Sequence, residues 1–209
     1  MEFPTNFKWK KVQELGSGGQ ATVFEVKDTT GLLKGTYALK PLKEDATKQA
    51  YERFQREVTA IKGSNHPNII KIIESSKPED TFHYYVMEYH PDAKPLKRLL
   101  NTRQNPFHGN AETALDLFAQ LIGVIDAIKK AKVVHRDLSP ANVLILPKTN
   151  RIKVIDFGIC QIEGETVITL VDEGLGTRNY AAPECEAGAE GEISFKSDMY
   201  SAGKSCGRQ

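Results

Sequence analysis

Asp137, Asn142 and Asp156 are the residues whose types and spacing best suit chemistry. They lie in His135-Arg136-Asp137-Leu138-Ser139-Pro140-Ala141-Asn142 and, one short strand-turn-strand later, in Asp156-Phe157-Gly158. Phosphoryl transfer asks little covalent chemistry of a protein. It asks for metal ions that neutralise phosphate charge and for one carboxylate that orients the attacking hydroxyl. Asp137 can accept a hydroxyl proton, and Asn142 and Asp156 offer hard oxygen ligands suited to magnesium. Any one of these residues alone is equally well a solvated loop residue; the two segments in this order are much harder to reach by accident.

The 209-residue chain is 40% hydrophobic and 26% charged, as expected of a soluble globular protein of one large or two small domains. A net charge of +1 gives no argument for nucleic acid or for an acidic membrane surface. No apolar run approaches the roughly 20 residues that cross a bilayer, and the start, Met1-Glu2-Phe3-Pro4-Thr5-Asn6, lacks a signal-peptide pattern. The three cysteines, Cys160, Cys185 and Cys206, are odd in number and without metal-ligand spacing. They read as reduced thiols, so the expected location is cytoplasmic, with no nucleic-acid partner and no membrane insertion.

The elements that must hold these residues follow from periodicity. Leu15 to Val26 is a glycine cluster flanked by β-formers, Asp28-Thr29-Thr30-Gly31 reads as a turn, and Thr36 to Lys40 as the next strand. From Thr47 to Lys62 the spacing becomes helical, with Ala50, Phe54, Val58 and Ile61 on one face. Asn68–Glu74 and Phe82–Tyr89 read as strands, and His90–Pro95 as a proline-bracketed connector and domain junction. Asn110 is the expected N-cap of a helix to about Ala131, with Leu115, Phe118, Leu121, Ile122 and Ile125 inward. Val143–Leu146 and Ile152–Ile155 form a strand pair, and the aperiodic stretch from Ile159 to Tyr180 reads as a lid or switch.

Gly16-Ser17-Gly18-Gly19-Gln20-Ala21 lies between two strands, which argues against a dinucleotide-binding turn, and it lacks the Gly-Lys-Ser/Thr ending of a P-loop. A glycine-rich hairpin can instead lie over a triphosphate, since absent Cβ atoms let backbone N–H groups approach the oxygens. Lys40 shares a strand face with Ala38 and can hold phosphate oxygens as a point charge. Its candidate partner is Glu57, near the middle of the amphipathic helix.

Together these residues resemble the eukaryotic-like Ser/Thr protein kinases from about Leu15 to Gly203. Gly16-x-Gly18-x-x-Ala21-x-Val23 is similar to that family's glycine-rich loop, Ala38-Leu39-Lys40 to its Val-Ala-Ile-Lys strand, and Met87-Glu88-Tyr89-His90 to its gatekeeper and hinge. Gly176-Thr177-Arg178-Asn179-Tyr180-Ala181-Ala182-Pro183-Glu184 resembles the close of the activation segment, and Ser197–Gly203 the start of helix F, whose Asp braces the catalytic loop. The resemblance implies an α+β fold of two lobes: a small antiparallel β-rich N-lobe over 1–89, and hinge plus helical C-lobe over 90–209. It implies ATP and Mg2+ as cofactors and a protein Ser/Thr hydroxyl as acceptor. Adenine would meet backbone groups of Glu88 and His90 between Leu15, Val23, Ala38 and Leu144, beneath Gly16 and Gly18. Lys40 would hold the α- and β-phosphates, positioned by Glu57; Asp137 would be the base, and Asn142 and Asp156 the magnesium ligands. Arg136 would bind a phosphate on the activation segment, with Thr166 and Thr169 as acceptors, while Thr177 would touch the active site.

Three departures stand out. Ser139 replaces the lysine that usually contacts the transferring phosphate, Ala21 replaces a glycine, and family members continue through several helices past helix F, where this chain ends at Gln209. The polar Ser205-Cys206-Gly207-Arg208-Gln209 is also unexpected where helix F should turn apolar. A catalytically silent nucleotide-binding or scaffolding module is therefore a competing expectation. A small-molecule phosphotransferase is disfavoured by the Ala182-Pro183-Glu184 close.

Overall fold

Between Trp9 and Glu88, alternate side chains build one buried sheet face. Strands β1 (Trp9–Ser17), β2 (Thr22–Asp28), β3 (Tyr37–Pro41), β4 (Ile72–Ser75) and β5 (Tyr84–Glu88) form an antiparallel sheet ordered β1-β2-β3-β5-β4. Phe24 stands opposite Leu39, and Leu39 opposite Val86. Period-two alternation therefore gathers Trp9, Phe24, Val26, Leu39 and Val86 into one core, against which Phe3, Phe7 and Tyr84 pack. The opposite face carries Val23, Ala38, Lys40 and Met87, since Ala38 pairs with Met87 and Lys40 with Tyr85. The computed structural model describes residues 2–17, 22–100, 102, 105, 110–157, 160–162, 179–185 and 193–207.

The expected turn after β2 is closed by Asp28, whose carboxylate accepts the N–H groups of Thr30 and Leu33, each at 2.9 Å. Gly31 follows at φ 78°, a left-handed conformation that glycine adopts without a Cβ clash. A second polar device joins the two edge strands of the ladder. Glu74 on β4 accepts from the Trp9 indole at 3.2 Å and the Tyr84 hydroxyl at 2.6 Å, and pairs with Lys8. Burial alone would raise the Glu74 pKa, but hydrogen bonds from Lys8, Tyr84 and Trp9 outweigh it and hold it below the usual value. The same burial and the Glu74 carboxylate push the Tyr84 hydroxyl up.

The chain divides into two compact units. The first comprises Met1–Phe54 and Lys71–Pro91, and the second Gln55–Ile70 and Asp92–Gln209. Helix α1 (Lys48–Gly63) is shared between them; Thr47 opens it by accepting the Ala50 N–H at 3.2 Å, and Phe54, Glu57, Val58, Ala60 and Ile61 are its buried positions.

The second unit adds β6 (Lys94–Pro95), α2 (Leu96–Leu100), α3 (Ala111–Lys130), β7 (Val133–Val134), β8 (Val143–Leu146), β9 (Arg151–Val154), β10 (Gln161–Ile162), a single 3-10 turn at Pro183–Cys185, and α4 (Phe195–Gly207). Strands β6, β8 and β9 form one small antiparallel sheet, and β7 and β10 another. Asn110 caps α3 as expected, its side chain accepting the Thr113 N–H at 3.0 Å. The inward face of α3 differs from expectation. It is built from Leu117, Gln120, Leu121, Val124, Ile125 and Ile128, while Leu115 is 68% exposed. Apolar residues fall on more than one side of this helix, so hydrophobicity alone does not set its rotation, and one of its buried positions is the polar Gln120.

Helix α4 resolves its polar composition internally. Ser197, Asp198, Ser201 and Ser205 are all buried. The Ser201 and Ser205 hydroxyls donate to the carbonyls four residues back, at 3.0 and 2.8 Å, so serines spaced by four enter the interior with their hydrogen bonds met. Among the described residues no helix is long and apolar enough to cross a membrane.

Glu74 generates a test in the first unit. A carboxylate with a depressed folded pKa contributes stability above its ordinary pKa of 4.5 and loses it as pH falls through the folded value. Urea unfolding followed by Trp9, the single tryptophan, should show wild-type stability falling on acidification below about pH 4.5. Glu74→Gln should be less stable at pH 7 and fall less steeply than wild type across that range, the remaining slope coming from other groups such as the buried His135; parallel curves for the two proteins would remove Glu74 from this role.

Candidate active site

The loop between β7 and β8 is positioned by one buried carboxylate. Asp198, in the first turn of α4, accepts the backbone N–H of His135 at 2.8 Å through one oxygen and that of Arg136 at 2.9 Å through the other. Arg136 sits at φ 68°, in the left-handed region that costs a non-glycine residue about 1 kcal/mol or more. Satisfying both amides of the bend offsets that cost. Burial raises the Asp198 pKa to about 6, against the opposing pull of these two N–H groups.

His135 is fully buried and tilted against the Phe157 ring, with centroids 4.5 Å apart. Burial drives its pKa down to about 4, so the ring is neutral near pH 7, and its Nδ1 accepts the Asp137 N–H at 3.3 Å. The backbone then turns at Ser139, whose carbonyl accepts the Asn142 N–H at 2.9 Å.

That turn brings Asn142 onto Asp137. The Asn142 amide nitrogen donates to both the Asp137 carbonyl and its Oδ2, each at 2.9 Å. Both amide hydrogens are thereby used, and the amide oxygen is the end left for a cation. Val143 stands opposite Val154, and the Ile155 N–H donates to the Asn142 carbonyl at 2.9 Å, so β8 and β9 deliver Asn142 and Asp156 from the same end of one hairpin. Asp156 is also left-handed, at φ 62°. Desolvation, with the Asp156 charge second, pushes the Asp137 carboxyl up to about 7, against the opposing pull of the Asn142 hydrogen bond. Two carboxylates that repel each other beside an amide oxygen form a hard, anionic donor set. They fit a divalent cation such as magnesium, which would relieve the repulsion.

Sequence reasoning thus named three residues that the structure brings together in the second unit: Asp137, Asn142 and Asp156. Glu57, 2% exposed on α1, and Leu144, half-buried on β8, also belong to that unit. In the first unit, Val23, Ala38 and Lys40 share a sheet face, Gly16 pairs with Val23, and Leu15 falls at the irregularity between Glu14 and Gly16. The Lys40 ammonium lies 5.7 Å from the Tyr85 ring centroid. The Glu88 N–H donates to the Lys71 carbonyl at 3.0 Å, and the Glu88 carboxylate meets His90 Nε2 at 3.2 Å. Gly18, Thr166, Thr169, Thr177 and Arg178 lie outside the described residues.

Two features escaped the sequence reading. Ser139 is 2% exposed, and its hydroxyl has no hydrogen-bond partner among the described residues, so it sits inside the loop instead of presenting a cation-like tip. Glu184 accepts the Ser197 hydroxyl at 2.7 Å, which ties the Ala182-Pro183-Glu184 segment to the residue beside Asp198. A serine directly before the helix-F aspartate was visible in the sequence, but nothing there marked its partner.

The description "protein kinase domain" matches residues 9–206, and the chain belongs to that family. It is 33% identical over 198 residues to the probable serine/threonine-protein kinase PknB of Lactococcus lactis, covering 94% of this chain and 30% of that protein. It is 34% identical over 198 residues to the serine/threonine-protein kinase PrkC of Bacillus subtilis, covering 94% and 29% respectively. Serine/threonine-protein kinase PknB of Mycobacterium leprae is 31% identical over 195 residues, covering 90% and 30%. The chain therefore spans about 30% of the length of the curated relatives it matches.

Asp198→Ala leaves two N–H groups of the His135–Arg136 bend without their acceptor, which should lower stability by about 2 kcal/mol or more. An unchanged urea midpoint would show that the bend does not depend on this carboxylate.

Proposed function

We propose that this chain transfers the γ-phosphate of ATP to serine or threonine hydroxyls of protein substrates. The single observation that carries the reading is the cluster of Asp137, Asn142 and Asp156 on one loop and one hairpin end, within a kinase-family chain. Asn142 holds Asp137 Oδ2, which leaves Oδ1 for the substrate hydroxyl. That hydroxyl oxygen bonds to the γ-phosphorus as the bond to the β,γ-bridging oxygen breaks; ADP leaves and the proton goes to Asp137. Asn142 and Asp156 would hold Mg2+, which when bound neutralises phosphate charge. Lys40 would hold the α- and β-phosphates, with Glu57 as its positioning partner. Adenine would lie among Leu15, Val23, Ala38 and Leu144, against backbone groups of Glu88 and His90, beneath Gly16 and Gly18.

Labelled γ-phosphate transfer from magnesium-ATP to the chain and to a generic Ser/Thr protein tests this. Asp137→Ala should lower the rate by a factor of about 10² to 10⁴. Signal that survives in the variant would overturn the assignment of the base. ATP binding without transfer by the wild type would favour a silent, kinase-like binding module, the reading that the buried Ser139 supports by leaving the usual lysine charge absent.

The regulatory reading rests on Arg136. Its Nε is buried without a hydrogen-bond partner among the described residues, and burial, with Arg56 as a neighbouring like charge, pushes its pKa down. An anion between two guanidinium groups would relieve both strains, and a phosphate on Thr166 or Thr169 would supply it, with Thr177 at the active site. Mass-spectrometric mapping of active protein should find phosphate on Thr166 or Thr169; active protein unmodified at both would remove this role. We place the chain in the cytoplasm on its cysteine usage; Cys160 and Cys185 are free thiols. Ala141 provides no carboxylate beside Asn142, so no preference for a basic residue upstream of the acceptor is proposed.

A further inference from the structure

Gln120 is a buried amide on the otherwise apolar inner face of α3, and all four of its hydrogen-bonding positions are used. Its Oε1 accepts the Asn68 side-chain N–H at 2.9 Å and the Ile152 backbone N–H at 3.0 Å. Its Nε2 donates to Asp116 Oδ2 at 2.8 Å and to the Asn150 carbonyl at 3.0 Å. A side chain only 9% exposed with every donor and acceptor met is a rigid fixture. Gln120 is not part of the loop that carries Asp137, so its placement calls for a separate account.

The partners show what the fixture holds. Asn150 is the left-handed turn residue, φ 51°, that closes the β8–β9 hairpin, and Ile152 is the first fully buried residue of β9. Asn68, whose amide bonds both Gln120 and the Ile152 carbonyl at 3.0 Å, also accepts the Val154 N–H through its own carbonyl at 2.7 Å. Ile70 returns the pattern, its N–H donating to the Val154 carbonyl at 3.0 Å. Segment 68–70 thus lies along β9 as an added strand, and Gln120 pins that segment, the strand and the turn to one point on α3. The far end of the same hairpin is Asn142 and Asp156. A strand side chain changes face with a slip of one residue, so the register of β9 decides whether Asp156 meets Asn142 at all.

We propose that Gln120 is a positioning residue for the metal-binding pair Asn142 and Asp156, acting through the register of the β8–β9 hairpin from about 13 Å along the strand. The inference rests on the proposed function only in taking those two residues as magnesium ligands. Gln120→Met keeps the length of the side chain and removes all four hydrogen bonds. It strands the Ile152 N–H in the interior and frees the turn at Asn150, so the two ligand oxygens lose their fixed separation.

The test is calorimetric titration of Mg2+ into the ADP-bound 209-residue chain, with the melting temperature of each protein measured alongside. Gln120→Met should raise the apparent Mg2+ dissociation constant about tenfold or more, the range seen when groups that orient metal ligands are removed. Its affinity for ADP without metal should stay within about twofold of wild type. Leu117→Val, one turn earlier on the same buried face, is the control: it should lower the melting temperature without moving the Mg2+ constant. A Gln120→Met constant equal to that of wild type overturns the inference, and so does an equal rise in Leu117→Val. If Gln120→Met does not fold, Asp116→Ala removes one exposed acceptor of the Gln120 amide. It should shift the constant in the same direction by about two- to threefold, and no shift overturns the inference. Wild-type chain that binds ADP but takes up no Mg2+ overturns the metal-site reading itself, an outcome separate from failure of the Gln120 role.

Discussion

The carboxylate of Asp198 is the interaction on which the second unit depends. A bend that carries a left-handed arginine and a fully buried, neutral histidine has few ways of satisfying its backbone, because the neighbouring amides do not point along any strand or helix. One buried carboxylate takes both of them, at 2.8 and 2.9 Å. Holding a charge there is unfavourable, as its raised pKa shows, and the arrangement persists because removing the carboxylate would strand one buried and one partly buried N–H group. The consequence is directional. With His135 and Arg136 fixed, Asp137 emerges where Asn142 can reach both its carbonyl and its side chain.

A second constraint completes the site from the other side. Asn142 and Asp156 are separated in sequence by the whole β8–β9 hairpin, yet the Ile155 to Asn142 backbone bond makes them near neighbours. The loop is held by α4 and the hairpin by α3, and these two helices pack on one another. The site is thus a meeting of two separately anchored backbones. Both anchors are polar side chains on otherwise buried helix faces, where an unsatisfied group is costly and geometry is consequently strict.

Much of this was legible in the sequence, and unevenly so. The sheet, the Asp28 turn and the Asn110 cap could be read because each rests on a local rule, alternation or a capping oxygen, and Asp137, Asn142 and Asp156 stood out because they sit in two short motifs in a fixed order. The rotation of α3 could not, since Leu115 and Ile122 are as apolar as Leu117 and Val124, and only the neighbours in space decide which side is inward. Gln120 and Ser197 were opaque for the same reason. A buried polar residue is recognisable only by its partners, and theirs are Asn68, Asn150 and Ile152 in one case and Glu184 in the other.

Ser139 shows how a departure from a family pattern changes meaning once its surroundings are known. In the sequence it reads as a lost positive charge. In the structure it is a buried hydroxyl under the turn that carries Asn142, with its carbonyl accepting the Asn142 N–H at 2.9 Å. A lysine side chain cannot occupy that buried position with its ammonium desolvated, so it would have to leave the loop interior and reach solvent. The serine side chain is thus a short buried group with no charge, and the contact with Asn142 is made by its backbone carbonyl alone. Without a lysine at position 139, this turn brings no ammonium toward Asp137, whose carboxyl is already pushed up to about 7 by burial and then by the Asp156 charge.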